Sequence, residues 1–151
     1  MTLLQVTKIK DGTVIDHIQT DLTLQLFKML DLKEWKNAVS ISFNLKSDKM
    51  GKKGLIKIEN KELTRNQLEK ISIIAPSCTV NLIKEYKVSN KYKLEIPELI
   101  TGVIKCSNPN CITNHEPSAI TRFKKLLEKP LVIHCTYCEK EMEEADITVH
   151  D

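Results

Sequence analysis

The sequence predicts an α+β protein with two parts: an N-terminal βαββαβ sandwich of the ferredoxin-like type and a small C-terminal all-β domain. Two observations carry this prediction. In the first part, segments with apolar residues at every second position alternate with segments where they recur every three or four positions, which indicates strands and helices. After Pro97 the pattern changes to short apolar runs around two pairs of cysteines. We therefore expect domains at residues 1–97 and 98–151.

The first segments of the N-terminal domain predict strand and then helix. Residues 3–10 alternate and predict a strand, and residues 13–18 form a second short apolar segment. From Leu22 onward the apolar side chains fall on one helical face, and we expect Asp21 or Thr23 to cap this helix.

Two further strands are predicted next. Residues 38–45 alternate, with Phe43 among the apolar positions, and residues 55–59 resume the strand pattern. The stretch between them, residues 46–54, is polar and contains glycine, which predicts a loop.

A helix and a strand complete the N-terminal pattern. Thr64-x-x-Gln67 is a capping box that opens a helix, and Pro76 closes it. Residues 79–86 predict the last strand, and the polar residues 87–99 lead to the domain boundary. This order is the split βαβ arrangement, in which two helices cover one face of an antiparallel sheet.

The C-terminal part contains four of the five cysteines in two close pairs, Cys106 with Cys111 and Cys135 with Cys138. Four thiolates bind Zn²⁺ tetrahedrally and leave no open position for a catalytic water. Two disulfides, or four metal-free thiols, are the alternatives; the absence of a secretory segment and the odd Cys78 disfavour disulfides. We therefore predict one structural Zn²⁺ in a ribbon-like, zinc-binding domain.

Short strands are expected in this domain around residues 103–104, 131–133 and 147–149. His115 and His134 flank the cysteines and are alternative ligands. The motif is specific for a metal, but it does not identify a function.

The composition and the motifs of the chain argue against several classes of function. Lysine supplies 21 of the 23 basic residues and the net charge is only +3, which argues against a duplex nucleic-acid binder. No apolar run is long enough to span a bilayer, so we expect a soluble, cytoplasmic protein with no membrane partner. Phosphate-binding glycine loops, dinucleotide fingerprints and zinc-protease motifs are also absent from the sequence.

The sequence leaves the roles of individual polar residues open between two alternatives. Adjacent Asp16 and His17 point to opposite faces of an extended segment, which favours solvated or capping roles over an acid–base pair. Lys57, Asn81 and Lys91 could converge on one sheet and would then suit a phosphorylated ligand, with Asp16 suited to ribose hydroxyls. An ordinary solvated lysine face is the alternative.

Five stretches together resemble the regulatory chain of aspartate carbamoyltransferase. They are residues 12–18, 50–60, 75–81, 110–112 and 135–140. The resemblance implies a non-catalytic subunit in pyrimidine biosynthesis. Its N-terminal domain would bind the allosteric effectors CTP and ATP and pair into a homodimer, and its zinc domain would dock onto the catalytic chain of a hetero-oligomer.

The resemblance also implies roles for particular residues. The effector site would consist of Val6 and Ile9 through main-chain groups, Asp16 and Lys57 at the ribose, Ile83 and Tyr86 at the base, and His17, Asn81, Val88 and Lys91 at the phosphates. The zinc ligands would be Cys106, Cys111, Cys135 and Cys138, and the contacts to the catalytic chain Asn108, Asn110, Tyr137 and Glu139.

Thr7 and Lys8 depart from the better-known members of the family, which carry an acidic and a small residue there. This rim of the pocket is therefore more basic, which bears on effector choice. A zinc-ribbon nucleic-acid binder is the alternative function, and a small zinc enzyme is a third one that would require a water on the metal.

Overall fold

A computed structural model describes residues 8–149. Its N-terminal elements are β1 (Gly12–Ile18), α1 (Thr23–Met29), β2 (Val39–Ser47), β3 (Gly51–Glu59), α2 (Arg65–Ile74), β4 (Thr79–Lys84) and β5 (Lys87–Tyr92). The C-terminal strands are β6 (Leu99–Thr101), β7 (Ile104–Lys105), β8 (Arg122–Leu127), β9 (Val132–Cys135), β10 (Glu141–Glu143) and β11 (Thr148–Val149). The chain divides into two compact units between Leu94 and Glu95.

The N-terminal unit is a five-stranded sheet in the order β2-β3-β1-β4-β5, and all neighbouring strands are antiparallel. Ile15 of β1 lies opposite Ile56 of β3 and Val80 of β4. These side chains are almost fully buried and belong to one core cluster with Leu26 of α1 and Ile71 of α2. Burying each such side chain stabilises the fold by roughly 1.5–3 kcal/mol. The predicted ferredoxin-like α+β class is confirmed.

The first strand differs from the sequence prediction. Most of the strand predicted at residues 3–10 lies outside the described residues, and residues 8–10 are not in a strand. β1, which the sequence pattern marked only as a second short apolar segment, holds the central position of the sheet. The predicted cap of α1 is wrong: Leu22 occupies the N-cap with no side-chain hydrogen bond, because a short 3₁₀ turn leads directly into the helix.

The predicted loop at residues 46–54 is also wrong, since β2 and β3 continue through most of it as a hairpin. Gly54 lets the start of α1 pack closely on β3, because a Cβ at that position would collide with the buried Thr23. Phe43 is 44% exposed rather than buried. The register of β2 shifts between Ser42 and Leu45, where Asn44 has a φ of 57°, and the shift breaks the predicted alternation.

The end of the N-terminal unit adds one strand to the prediction. β4 ends at Lys84 rather than at Tyr86, because Glu85 and Tyr86 form a turn with positive φ. The polar residues that follow form β5, which continues the sheet at its edge. The predicted capping box at α2 is confirmed. The Thr64 hydroxyl accepts a hydrogen bond from the Gln67 backbone N–H, and the Gln67 side-chain oxygen accepts one from the Thr64 backbone N–H.

The C-terminal unit contains a four-stranded sheet in the order β10-β9-β8-β6 and a separate β11-β7 pair. Its buried side chains include Ile100, Phe123, Ile133 and Met142. The three predicted short strands occur close to their expected places as β7, β9 and β11, whereas β6, β8 and β10 were missed. Over residues 8–149, none of the helices combines the length and apolarity required to cross a membrane.

Candidate metal centre and effector site

The four paired cysteines converge on one point of the C-terminal unit. Cys106 follows β7, Cys111 precedes a 3₁₀ turn, Cys135 ends β9, and Cys138 lies in the turn before β10. Their four sulfur atoms all lie within 4.8 Å of one another. Two of the Sγ–Sγ distances, Cys106 to Cys138 and Cys111 to Cys135, are 3.8 Å. A tetrahedral ion at Zn–S distances of about 2.3 Å requires this separation of about 3.8 Å, so the residues fit a Cys₄ metal site.

Hydrogen bonds hold the first cysteine loop in shape. The Asn114 side-chain amide donates to the carbonyl oxygens of Cys106 and Asn108 at 3.0 and 2.8 Å. The ring Nε2 of His115 contacts the carbonyl of Pro109 at 2.7 Å. Both His115 and His134 lie outside the sulfur cluster that the described residues form.

The thiols differ in acidity. Burial raises the pKa of Cys106 to about 12, although the Asn108 backbone N–H opposes the shift. Burial also acts on Cys138, but hydrogen bonds from the Asn108 side chain and the Lys140 backbone N–H outweigh it and lower the pKa to about 7. Cys138 is therefore more readily ionised than Cys106, and a cation that binds Cys106 would have to displace its proton.

The residues expected to contact a catalytic chain surround these cysteine loops. Asn110 and Glu139 are exposed, Tyr137 is 45% exposed, and Asn108 is half-buried with its Oδ1 accepting the Asn110 N–H. Ile112, which the sequence analysis did not assign to this surface, is 53% exposed beside Cys111. Its place directly after a predicted ligand cysteine was the signal in the sequence.

Several of the predicted effector residues lie on the sheet face opposite the helices. Side chains alternate along each strand. Ile15, Ile56 and Val80 pack toward the helices, so Val14, Lys57 and Asn81 point to the other face.

The register brings several of these residues into one row across the sheet. Val14 pairs with both Lys57 and Asn81, and Asn81 pairs with Lys91 of β5. With strands about 4.8 Å apart, the row from Lys57 to Lys91 spans about 15 Å. Asp16 lies two residues beyond Val14 on the same face.

Ile83, which the resemblance assigns to the base, lies in the next row of residues across the same sheet. Ile83 pairs with Gly12 and with Val88, which is 52% exposed. Tyr86 is 61% exposed in the β4–β5 turn, and its N–H donates to the carbonyl of Lys10, beside Ile9. Val6 and Thr7 lie outside the described residues.

Asp16 is held in place by two groups. Its Oδ1 accepts the His17 backbone N–H at 2.6 Å and lies 2.8 Å from the Nζ of Lys53. His17 has a φ of 57°, which turns its ring toward the Thr79 hydroxyl at 3.1 Å. Sequence reasoning did not assign Lys53 to the site. Its position four residues before Lys57 on the same strand was the available signal.

Two features of this face suit a polar ligand. Burial lowers the pKa of Lys57, the nearby Asp16 carboxylate opposes the shift, and Lys8 adds to it. The Oδ1 atom of Asn81 is buried and has no hydrogen-bond partner among the described residues. A buried polar atom without a partner costs free energy, which a bound ligand could recover.

A separate cleft of about 310 Å³ opens at one end of the same sheet. Of the predicted effector residues that the structure describes, only Ile83 contributes to it. The cleft is lined by Asp11, Gly12, Asn60, Lys61, Glu62, Leu82, Ile83 and Lys84.

Comparison with known families gives matches to both units. The family described as aspartate carbamoyltransferase regulatory chain, allosteric domain, matches residues 4–95, and the metal binding domain of the same chain matches residues 98–148. Among relatives named aspartate carbamoyltransferase regulatory chain, that of Pyrococcus furiosus is 46% identical over 149 residues, covering 97% of each chain. That of Thermoplasma acidophilum is 45% identical over 145 residues, covering 95% of this chain and 96% of the relative.

Proposed function

The chain belongs to the family of aspartate carbamoyltransferase regulatory chains, and we propose that it binds CTP and ATP and transmits their effect to the catalytic chains. It is a regulatory rather than a catalytic chain. Residues 1–97 would form the effector-binding domain, and residues 98–151 would dock onto the catalytic chain. This role places the chain in the control of pyrimidine biosynthesis in the cytoplasm.

One observation carries the effector proposal: Lys57, Asn81 and Lys91 share a row across the open face of the sheet. Two lysines on the same face provide positive charge for a nucleotide. Oδ1 of Asp16 is engaged by His17 and Lys53, and Oδ2 would accept a ribose hydroxyl.

The remaining roles follow from the family resemblance. Ile83 and Tyr86 would line the base, and His17 and Val88 would complete the phosphate end. Val6 and Ile9 would contact the nucleoside through main-chain groups.

The effect of a nucleotide would reach the catalytic chain through thermodynamic linkage between nucleotide binding and the state of the assembly. A nucleotide shifts a two-state assembly only through its different affinities for the two states, and coupling free energies of about 1–3 kcal/mol are typical. We propose that this chain, as a homodimer, carries the coupling by contacting the catalytic chain with Asn108, Asn110, Tyr137 and Glu139.

The metal is proposed to be a single structural Zn²⁺. Four sulfur donors at tetrahedral spacing favour it over hard cations, which prefer oxygen. Bound there, the ion would supply a cross-link between the two cysteine loops rather than reactivity. Elemental analysis should find one zinc per chain. A fully folded C-terminal domain without zinc would contradict the proposal.

Calorimetric titration of the full chain tests the effector proposal. CTP and ATP should bind, and cytidine should bind more weakly because it lacks the phosphates. Lys91→Met should weaken CTP binding and leave cytidine binding unchanged, because Lys91 is assigned to the phosphates. Lys36→Met is the matched control: it removes the same charge from an exposed site between α1 and β2. No heat with either nucleotide at millimolar concentration would overturn the proposal.

A further inference from the structure

The turn between β4 and β5 has a conformation that its own residues do not favour. Its two central residues, Glu85 and Tyr86, have φ angles of 50° and 66°. Lys84 and Lys87 pair with each other on either side of them. Such two-residue hairpin loops use positive φ at both positions, which Asn and Gly adopt readily. Glutamate and tyrosine adopt it only at a cost in free energy, so the turn depends on contacts with other parts of the chain.

Side-chain packing contributes little to holding this turn. Tyr86 is 61% exposed, and Lys84, Glu85 and Lys87 are exposed as well. An exposed side chain removes little apolar surface from water, so the hydrophobic effect stabilises the turn only weakly. Hydrogen bonds to the main chain of the turn therefore matter most for its position.

The two residues that precede β1 make these hydrogen bonds. The Glu85 backbone N–H donates to Oδ1 of Asp11 at 3.2 Å, and the Tyr86 backbone N–H donates to the carbonyl oxygen of Lys10 at 2.9 Å. These two hydrogen bonds form a tether between the start of the sheet and the β4–β5 turn. Both central residues of the turn are thus attached to the same short segment.

Asp11 is itself fixed to the end of β3. Its carbonyl oxygen accepts the Asn60 backbone N–H at 2.9 Å. The next residue, Gly12, has a φ of 142°, and a Cβ at that position would collide with the carbonyl oxygen of Ile58. The chain therefore runs closer to β3 than any residue other than glycine allows. Asp11 joins this close-packed end of β3 to the exposed turn.

We propose that Asp11 is a positioning residue for the base end of the effector site. The family resemblance assigns Ile9 and Tyr86 to the nucleoside, and Ile9 directly precedes the tethered segment. The tether holds the turn that carries Tyr86 close to that segment before a ligand arrives, so binding does not have to order the turn. This role rests on the proposed effector function, whereas the tether itself can be tested without a nucleotide.

The tether is tested by amide hydrogen exchange of the full chain, measured by nuclear magnetic resonance. Asp11→Ala should speed exchange of the Glu85 amide by about threefold to tenfold, because its acceptor is lost. Asp11→Asn should keep the wild-type rate, because the amide oxygen accepts the same hydrogen bond. Asp48→Ala is the matched control, since it removes an exposed carboxylate from the turn between β2 and β3. An unchanged Glu85 rate in Asp11→Ala would overturn the tether.

The positioning role is tested by calorimetric titration with three ligands that share different parts of CTP. Asp11→Ala should raise the Kd of CTP and of cytidine by the same factor, about threefold to tenfold. The Kd of inorganic triphosphate should stay at its wild-type value, because that ligand has no base. Lys91→Met should give the opposite pattern and weaken CTP and triphosphate without affecting cytidine.

Two further variants separate positioning from charge and from misfolding. Asp11→Asn should bind CTP and cytidine like the wild type. Glu85→Asn, added to Asp11→Ala, should recover most of the lost affinity, because asparagine adopts positive φ more readily than glutamate. Asp11→Asn binding as weakly as Asp11→Ala would overturn the positioning role, because only the charge would then matter. Wild-type Kd values for CTP and cytidine in Asp11→Ala would also overturn it.

A wild-type chain that binds none of the three ligands would instead count against the proposed effector function. The exchange rate of the Glu85 amide would still decide whether Asp11 holds the turn, so the two failures are distinguishable.

Discussion

Replacement of Lys57 by methionine should remove much of the affinity for CTP without unfolding the chain. Lys57 lies in the row with Asn81 on the open face, and burial lowers its pKa. A hydrogen bond from a charged group contributes about 1.5–3 kcal/mol. The loss should therefore raise the CTP Kd roughly 10- to 150-fold. Lys57→Arg, which keeps the charge, should lose less.

Isothermal titration of CTP against wild type, Lys57→Met and the Lys36→Met control measures this directly. The pH dependence provides a second readout. Because the pKa of Lys57 lies below 10.5 in the free protein, CTP affinity should begin to fall at a lower pH than for an ordinary lysine, and Lys57→Met should flatten this dependence. A Kd for folded Lys57→Met within twofold of wild type would refute the assignment.

Three further predictions concern other parts of the molecule. Thr64→Ala removes the capping box of α2 and should lower the free energy of unfolding by about 1 kcal/mol, measured as a shift of the urea midpoint with an unchanged slope. Lys53→Met releases Asp16 and should raise the CTP Kd about fivefold, the equivalent of roughly 1 kcal/mol for a partly exposed ion pair. If the same substitution weakened the binding of 2′-deoxy-CTP equally, the ribose role of Asp16 would be contradicted. Cys106→Ser should abolish stoichiometric metal binding and docking onto the catalytic chain while CTP still binds, and simultaneous loss of CTP binding would contradict two independent domains.

Local features were predictable where one short stretch determines the structure. The capping box needs only Thr64 and Gln67, three positions apart, and it occurs as predicted. Each cysteine pair lies within one turn, so its spacing alone indicated that the two sulfurs face one point. The four-sulfur cluster is the outcome of two such turns meeting.

The effector face was less predictable because it depends on register. The row that contains Lys57, Asn81 and Lys91 exists only through pairings between four strands. Periodicity shows which face of one strand is apolar, but it does not show which residue lies opposite on the next strand. The bulge that displaces Phe43 and the ion pair of Lys53 with Asp16 are long-range consequences of the same pairing.

β5 was missed for a related reason. Its residues are largely polar and exposed because it is an edge strand. Edge strands often carry lysine, which discourages further pairing, so their sequences resemble loops. Only its hydrogen bonding to β4 identifies it as a strand.

The most direct test of the account is the velocity of the reconstituted holoenzyme. The purified chain is combined with its cognate catalytic chain, and aspartate saturation is measured without nucleotide, with CTP and with ATP. The account predicts that at least one nucleotide changes the aspartate half-saturation of the holoenzyme but not that of the catalytic chain alone. A stable, zinc-containing holoenzyme with identical saturation curves under all three conditions would contradict it.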